Sequence, residues 1–496
     1  MSFVLFCVLA SVNHSISYVG TFYSSSLLPA DLASVSLGLL WGGNGIAGLF
    51  IASWLTKSLG LRASLVLSFS GFAVQMGCLY FSVVAPSVGW PLSVCGSLYA
   101  GATSAIWWDC QALVVEGACT VHTRADSEVP LASVRSNLNA VWTFTYQGIN
   151  MIVFLSLTFF MYSFDAPLDL LIFTLFIAGI VSTVAVVLLP IPGHASALSL
   201  TAIKPTAANQ SSTPLPSVDT KLLLNGLPGS LQIDSTANSI RGPASMWDVL
   251  ALFATDYRCA LLAPTQLSFG IATTLFAFYV NAELISGRSR SGDDENDVGV
   301  LYLGLLEAFA YLVSALAAFP YSWLVKRYDA LTLIMVWGNA SFVLAAVLVL
   351  CLPASRLKQW GWLLVLKGLY GAGRGVFEGE NRSYYMTLFS GRKLVAAFSQ
   401  QGFLTGASGG IFFLAAGVLS TDALSGAMVA NGLLAMGCMV LLARGVASRG
   451  EKRDDSSLKL EEEEDWGWHT LSAGPEGAED GSHYSRLPAS DVDIQE

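Results

Sequence analysis

Residues 370–385 read YGAGRGVFEGENRSYY. The run WGWLLVLKGL (360–369) precedes them, and after the basic pair Arg392–Lys393 a second apolar run extends to 418. Four charges, Arg374, Glu378, Glu380 and Arg382, therefore sit among glycines and aromatics in an apolar setting. Either the stretch is a watery interruption or it is the charged middle of a membrane span, and that choice decides the fold. Of 496 residues, 54% are hydrophobic and only 12% charged, against about 25% charged in an ordinary soluble domain. Such a chain has too little polar surface to face water on all sides, which points to an all-α membrane protein. The apolar runs are long and continuous, whereas the strands of a transmembrane β-barrel alternate.

A span takes about 20 mostly apolar residues. That window places helices near 2–24, 33–56, 62–84, 91–118, 138–161 and 168–190, and again near 252–283, 299–323, 330–351, 359–388, 394–418 and 423–443. The expected domains are an N-terminal six-helix bundle (1–190), a flexible cytoplasmic linker (191–246), a C-terminal six-helix bundle (247–443) and a disordered acidic cytoplasmic tail (444–496). The linker is rich in Ser, Thr, Pro, Ala and Asn, a composition that buries too little to fold. The tail carries DD, EEEED and EGAED and holds much of the net charge of −10. Connections on the side of both termini carry Lys57, Arg62, Arg124, Arg135, Lys326, Arg327, Arg392 and Lys393; the opposite ones carry Arg288, Arg290, Arg356 and Lys358. The positive-inside rule then puts both termini in the cytoplasm. The plasma membrane and an endolysosomal membrane both fit. The start, MSFVLFCVLA, lacks a basic leader and reads as a retained first helix. The eight cysteines are scattered singly and read as small buried residues rather than a disulfide or metal framework.

The two halves repeat. SWLTK (53–57) matches SWLVK (322–326), and GSLYAGATSAIWWDCQ (96–111) aligns with KGLYGAGRGVFEGENR (367–382) through Leu98–Tyr99 and Leu369–Tyr370. Twelve helices, two six-helix halves and a long central linker resemble the major facilitator superfamily of membrane transporters, over about 1–443. That family's loop between its second and third helices typically reads G-x-x-x-D-R-x-G-R-R. Here SWLTKSLGLR keeps Gly60 and Arg62, while Ser53, Lys57 and Ser58 replace the first Gly, the Asp and the first Arg. The K-x-x-G-x-R form looks more like the divergent branch named for nematode "uncoordinated" proteins, which includes transporter-like proteins, a channel regulator and a trafficking factor. The resemblance implies two pseudo-symmetric bundles that rock about a substrate path, with Lys57, Gly60, Arg62, Lys326 and Arg327 at cytoplasmic gating positions. Topology alone also accounts for those cations, since it requires positive charge inside.

Charges within a span cost roughly 2.5–3.5 kcal/mol each on the insertion scale, and they face the bundle interior or a cavity. In the fourth span Asp109 sits beside Trp107, Trp108 and Gln111. Two roles are open to it: proton exchange during transport, or a structural carboxylate held by donors. In the tenth span Arg374, Glu378 and Arg382 are spaced i, i+4, i+8 and form one stripe with two possible ion pairs. Glu380 points away from that stripe and needs another partner. Arg374 is a candidate solute contact, its alternative being a permanent bridge to Glu378. Gln147 and Asn150 in the fifth span, and Gln400 and Gln401 in the eleventh, are repeat-related and would line the path or bond between helices. His14, Asn44, Gln266 and Glu307 are further polar residues at membrane depth.

No nucleotide, metal or catalytic pattern appears: there is no G-x-x-x-x-G-K, no H-E-x-x-H and no Cys/His cluster. The chain is therefore expected to be no enzyme, to need no cofactor and to bind no nucleic acid. YSRL, from Tyr484 to Leu487, has the Tyr-x-x-apolar form of an adaptor-read sorting signal. Two functions follow. One is a secondary or facilitative transporter of a small polar or charged solute, with or without proton coupling. The other is a non-transporting regulator or trafficking partner of another membrane protein. The partners expected are the lipid bilayer, a small-molecule solute with protons, and a sorting adaptor at the tail.

Overall fold

The computed structural model describes residues 2–125, 131–164, 167–188, 246–285, 297–389 and 391–453. Most of the expected linker and tail, Tyr484 and Leu487 included, lies outside them. Among the described residues there is no strand. The first set of helices is α1 (Ser2–Leu27), α2 (Ala30–Phe50), α3 (Ala52–Val84), α4 (Gly89–Ala125), α5 (Leu131–Phe164) and α6 (Leu168–Leu188). After the linker, the short α7 (Met246–Thr255) leads into α8, α-helical over Tyr257–Thr274 and π-helical over Leu275–Ile285. Then come α9 (Asp297–Tyr328) and α10 (Leu331–Cys351). The next helix, α11, runs over Trp360–Gly375, makes a π-helical turn at Val376–Glu380 and continues over Asn381–Leu388. The chain ends with α12 (Gly391–Ala416) and α13 (Thr421–Arg453).

Each of the twelve expected spans falls on a helical segment. Among the described residues, nine helices are long and apolar enough to cross a membrane. The segments outside that nine, α4, α11 and α12, carry most of the polar residues singled out above. Large apolar side chains face outward along the helices, among them Leu188 at 78% exposure and Val418 at 85%. An apolar outer surface of this extent needs lipid against it. The protein is an all-α, multi-pass membrane protein.

Several boundaries differ from the expectation. The seventh span begins at Tyr257, not 252, because Asp256 caps it: its carboxylate accepts from the Arg258 amide at 3.0 Å and pairs with the guanidinium at 2.6 Å. Arg258 also donates to the Leu388 carbonyl at 2.8 Å, tying the start of α8 to the end of α11. Residues 246–255, expected to belong partly to the linker, form α7, which buries Val249 and Leu252 and leaves Trp247 exposed. The last helix continues to Arg453, so the expected tail is helical over its first residues. The turn after the second span is built on Gly60, whose φ of 77° breaks α3.

The halves meet along two seams, α2 against α12 and α5 against α9. Exchanging the halves maps one seam onto the other, because α2 and α9 are second in their sets and α5 and α12 are fifth. On the first seam the backbones nearly touch: a Cβ on Gly406 would lie 2.4 Å from the Gly45 nitrogen. The Ser34 hydroxyl donates to the Phe413 carbonyl at 2.6 Å on the same seam. On the second, Ser136 and Ser322 hydroxyls are 2.8 Å apart, and Lys326 donates to Asn137. Small residues are what allow helices to approach this closely in lipid.

Candidate functional site: a charged cavity between the two helix sets

Between the seams lies a cavity with about 1000 Å³ of space free of atoms, part of it open to the outside. Both halves build its wall. From the first come Tyr18 and His14 of α1, Trp41 and Asn44 of α2, Trp108, Asp109 and Gln111 of α4, and Asn139 of α5. From the second come Phe269 of α8, Phe377, Glu378 and Arg382 of α11, and Gln401 and Thr405 of α12. Aromatic rings and convergent polar groups thus share the wall, and both are features of small-molecule sites.

The charges are arranged unequally. On α11 the expected ladder forms: Glu378 lies 3.7 Å from Arg374 and 3.2 Å from Arg382. The Arg382 guanidinium also rests 4.5 Å from the centre of the Trp108 ring, so the charged stripe of one half stacks on the aromatic pair of the other. Glu378 and Arg382 are on the cavity wall, whereas Arg374 is fully buried off it. Its guanidinium lies 4.1 Å from the Tyr18 ring and 4.8 Å from that of Tyr311. Nε and Nη2 of Arg374 have no hydrogen-bond partner, so its charge is balanced by Glu378 and by the faces of the tyrosines.

Asp109 is on the wall and half-buried. It accepts a hydrogen bond from the Ser53 hydroxyl at 2.9 Å, and that hydroxyl is also 3.4 Å from Ser399 of α12. Asp109 forms no ion pair among the described residues. Glu380 is buried, off the wall, with Oε2 unpartnered.

The four amides separate. Gln401 lines the cavity, while Gln147, Asn150 and Gln400 do not. Asn150 turns back to the Tyr146 carbonyl at 2.8 Å and Gln400 to the Cys259 carbonyl at 3.4 Å, and neither oxygen nor nitrogen of Gln147 has a partner. The expected gating cations sit at the ends of the helices. Arg62 is exposed and donates to the Val187 carbonyl at the end of α6, Lys326 reaches Asn137, and Arg327 is exposed. Lys57 belongs to α3, but its side chain lies outside the described ones.

Two features escape sequence reading. His14 stacks on Trp107 with ring centres 4.4 Å apart and meets Trp108, Tyr18, Phe72 and Tyr146 edge-on or tilted, so α1 is locked into the aromatic wall. Lys367, on the same helix as the ladder, turns away from it. It pairs with Glu307 of α9 and donates to Asn281 at 2.6 Å within the π-helical part of α8, and Asn281 donates to Glu307 at 2.8 Å. All three are completely buried. The sole sequence signal for this triad is that each is a polar residue at membrane depth.

No family model matches the chain, and no curated protein sequence does. Solved structures do. The major facilitator superfamily transporter FucP in its outward conformation superposes with a TM-score of 0.53 at 14% identity, over 89% of this chain and 96% of its own. The nucleoside transporter NupG gives 0.50 at 14% identity, over 91% of this chain and all of its own. A variant of the E. coli fucose:proton symporter FucP gives 0.50 at 14%, over 89% and 97%. Together with the two symmetric seams and the cavity between them, this likeness shows that the chain has the fold of the major facilitator superfamily transporters.

Proposed function

We propose that the protein is a secondary or facilitative transporter, moving a small polar or charged solute through the cavity as the two halves rock in alternation. The observation that carries the reading is that both halves supply charge to one cavity: Asp109 from α4, Glu378 and Arg382 from α11. A permanent structural protein has no need of charges facing an unfilled space in the membrane, where each is costly. Nucleoside and fucose:proton transporters with this fold support the assignment to solute transport, and the symporter supports a proton as the coupled ion. Asp109 is the residue proposed to take that proton, since Glu378 is already paired with two arginines. The chemistry is binding and passage, with no bond made or broken.

The cations Arg62, Lys326 and Arg327, which gather at the ends of α3 and α9, support cytoplasmic termini and a gating role for that end. Placement in the plasma or an endolysosomal membrane, and adaptor recognition of Tyr484–Leu487, belong to the same reading. The test is uptake by the full chain in proteoliposomes, over a panel of nucleosides, sugars, amines and carboxylates, with and without an imposed pH gradient. Solute accumulation that grows with the gradient and loses that dependence in Asp109→Asn supports coupled transport. Absence of uptake across the panel by folded protein removes the reading.

A further inference from the structure

We propose that the cavity takes an organic cation, a protonated amine or quaternary nitrogen on an apolar or aromatic body, with Asp109 as its counter-ion. The proposal rests on the transporter reading and deepens it: proton and cation occupy Asp109 in turn, so that one exchanges for the other. Its ground is which charges on the wall are already engaged. Arg382 is held on one side by Glu378 at 3.2 Å and on another by the Trp108 face at 4.5 Å. Glu378 serves Arg382 and Arg374 together. A solute anion at either arginine would compete with Glu378 for it inside the membrane.

Asp109 stands apart. It is half-buried on the wall, its neighbour is the Ser53 hydroxyl, and it forms no ion pair among the described residues. Asp109 is therefore the wall carboxylate outside the ion-paired ladder. A positive charge on the solute would pair with that carboxylate, which an anion would oppose.

The apolar wall completes the site. Tyr18, Trp41, Phe269, Phe377 and Phe398 line it, with Phe269 and Phe377 stacked 3.8 Å apart at an angle of 2°. Aromatic faces attract a cation through their negative quadrupole and pack against a flat apolar body. A sugar-like polyol would leave Asp109 unmatched and these faces poorly covered.

The experiment measures binding of tritiated 1-methyl-4-phenylpyridinium to the purified full chain, and its uptake in proteoliposomes, with phenylethylamine, adenosine, fucose and benzoate as competitors. The expected result is saturable binding and uptake that phenylethylamine displaces and the neutral and anionic competitors do not. Asp109→Asn should weaken binding by about tenfold or more, as loss of a buried counter-ion does, and Asp109→Glu should restore most of it. Each variant is first checked for an unaltered melting transition, and where Asp109→Asn fails that check the wild-type competition decides. Uptake of adenosine or fucose without competition by either cation overturns the cation assignment and leaves the transporter reading standing. A folded Asp109→Asn that binds the cation as tightly as wild type overturns the counter-ion role. If no member of the panel binds or crosses, both readings fall.

Discussion

At the scale of single residues, the decisive fact is how each charge in the membrane finds a partner. Buried ion pairs contribute little net stability, yet removing one member leaves an uncompensated charge. Lys367 and Glu307 are both wholly buried, so Lys367→Met should destabilise the protein by about 3–5 kcal/mol. The paired change Lys367→Met with Glu307→Leu should recover most of that loss. Thermal unfolding of the four forms in detergent measures it, and a double variant no more stable than the single one would show that the pair is not the source. Gly60 supplies a different kind of dependence. Its φ of 77° and ψ of 161° lie in a region that is essentially glycine's alone. Open space surrounds it, so sterics with neighbours are not the issue. Gly60→Ala should nonetheless cost about 1–3 kcal/mol through backbone strain, read as a lower melting temperature with the cavity's solute affinity unchanged.

At the scale of elements, the seam between α2 and α12 depends on the absence of side chains. A Cβ on Gly406 would meet the Gly45 nitrogen at 2.4 Å and the Trp41 carbonyl oxygen at 2.7 Å, both backbone atoms that yield only if a helix moves. Gly406→Val should therefore destabilise by about 1–3 kcal/mol through overpacking. Gly437 of α13 has nothing within 4 Å, and Gly437→Ala should instead stabilise by about 0.5–1 kcal/mol as helix propensity dictates. Opposite signs in one melting assay would separate close approach from propensity. The same scale shows what sequence reading could reach. Helix positions were legible because apolar length is a local property, and so was the Arg374–Glu378–Arg382 ladder, whose members lie on one helix at a fixed spacing. The Lys367–Glu307–Asn281 triad was not, because its members lie on three helices and no periodicity relates them. Gln147 and Gln401 were read alike from repeat position, yet one is walled in and the other faces the cavity. The two lie on α5 and α12, and which neighbours pack over each is a tertiary property with no local mark in the sequence.

At the scale of the whole molecule, alternating access requires contacts that exist in one state and part in the next. The two seams supply candidates at the end where α4 gives way to α5 and α11 to α12. On one, the Ser53 hydroxyl bonds Asp109 and sits 3.4 Å from that of Ser399. On the other, the Ser136 and Ser322 hydroxyls are 2.8 Å apart. The first contact joins the halves through the neighbour of the one wall carboxylate that forms no ion pair among the described residues, so a cation at Asp109 would draw on the oxygen that Ser53 now occupies. Loss of that hydrogen bond frees the Ser53 hydroxyl to reorient at its contact with Ser399, which couples occupancy of the cavity to this end. The pair Ser53→Cys with Ser399→Cys, in a background where the exposed Cys95 and Cys351 are replaced, should cross-link on oxidation and stop uptake. Reductant should restore it. Saturating substrate should slow the cross-linking, since it favours the parted state, whereas the Ser136→Cys with Ser322→Cys pair, remote from Asp109 in sequence and on the other seam, should respond only as the halves themselves separate. Full cross-linking at Ser53 and Ser399 with undiminished uptake would mean that this end does not open during transport.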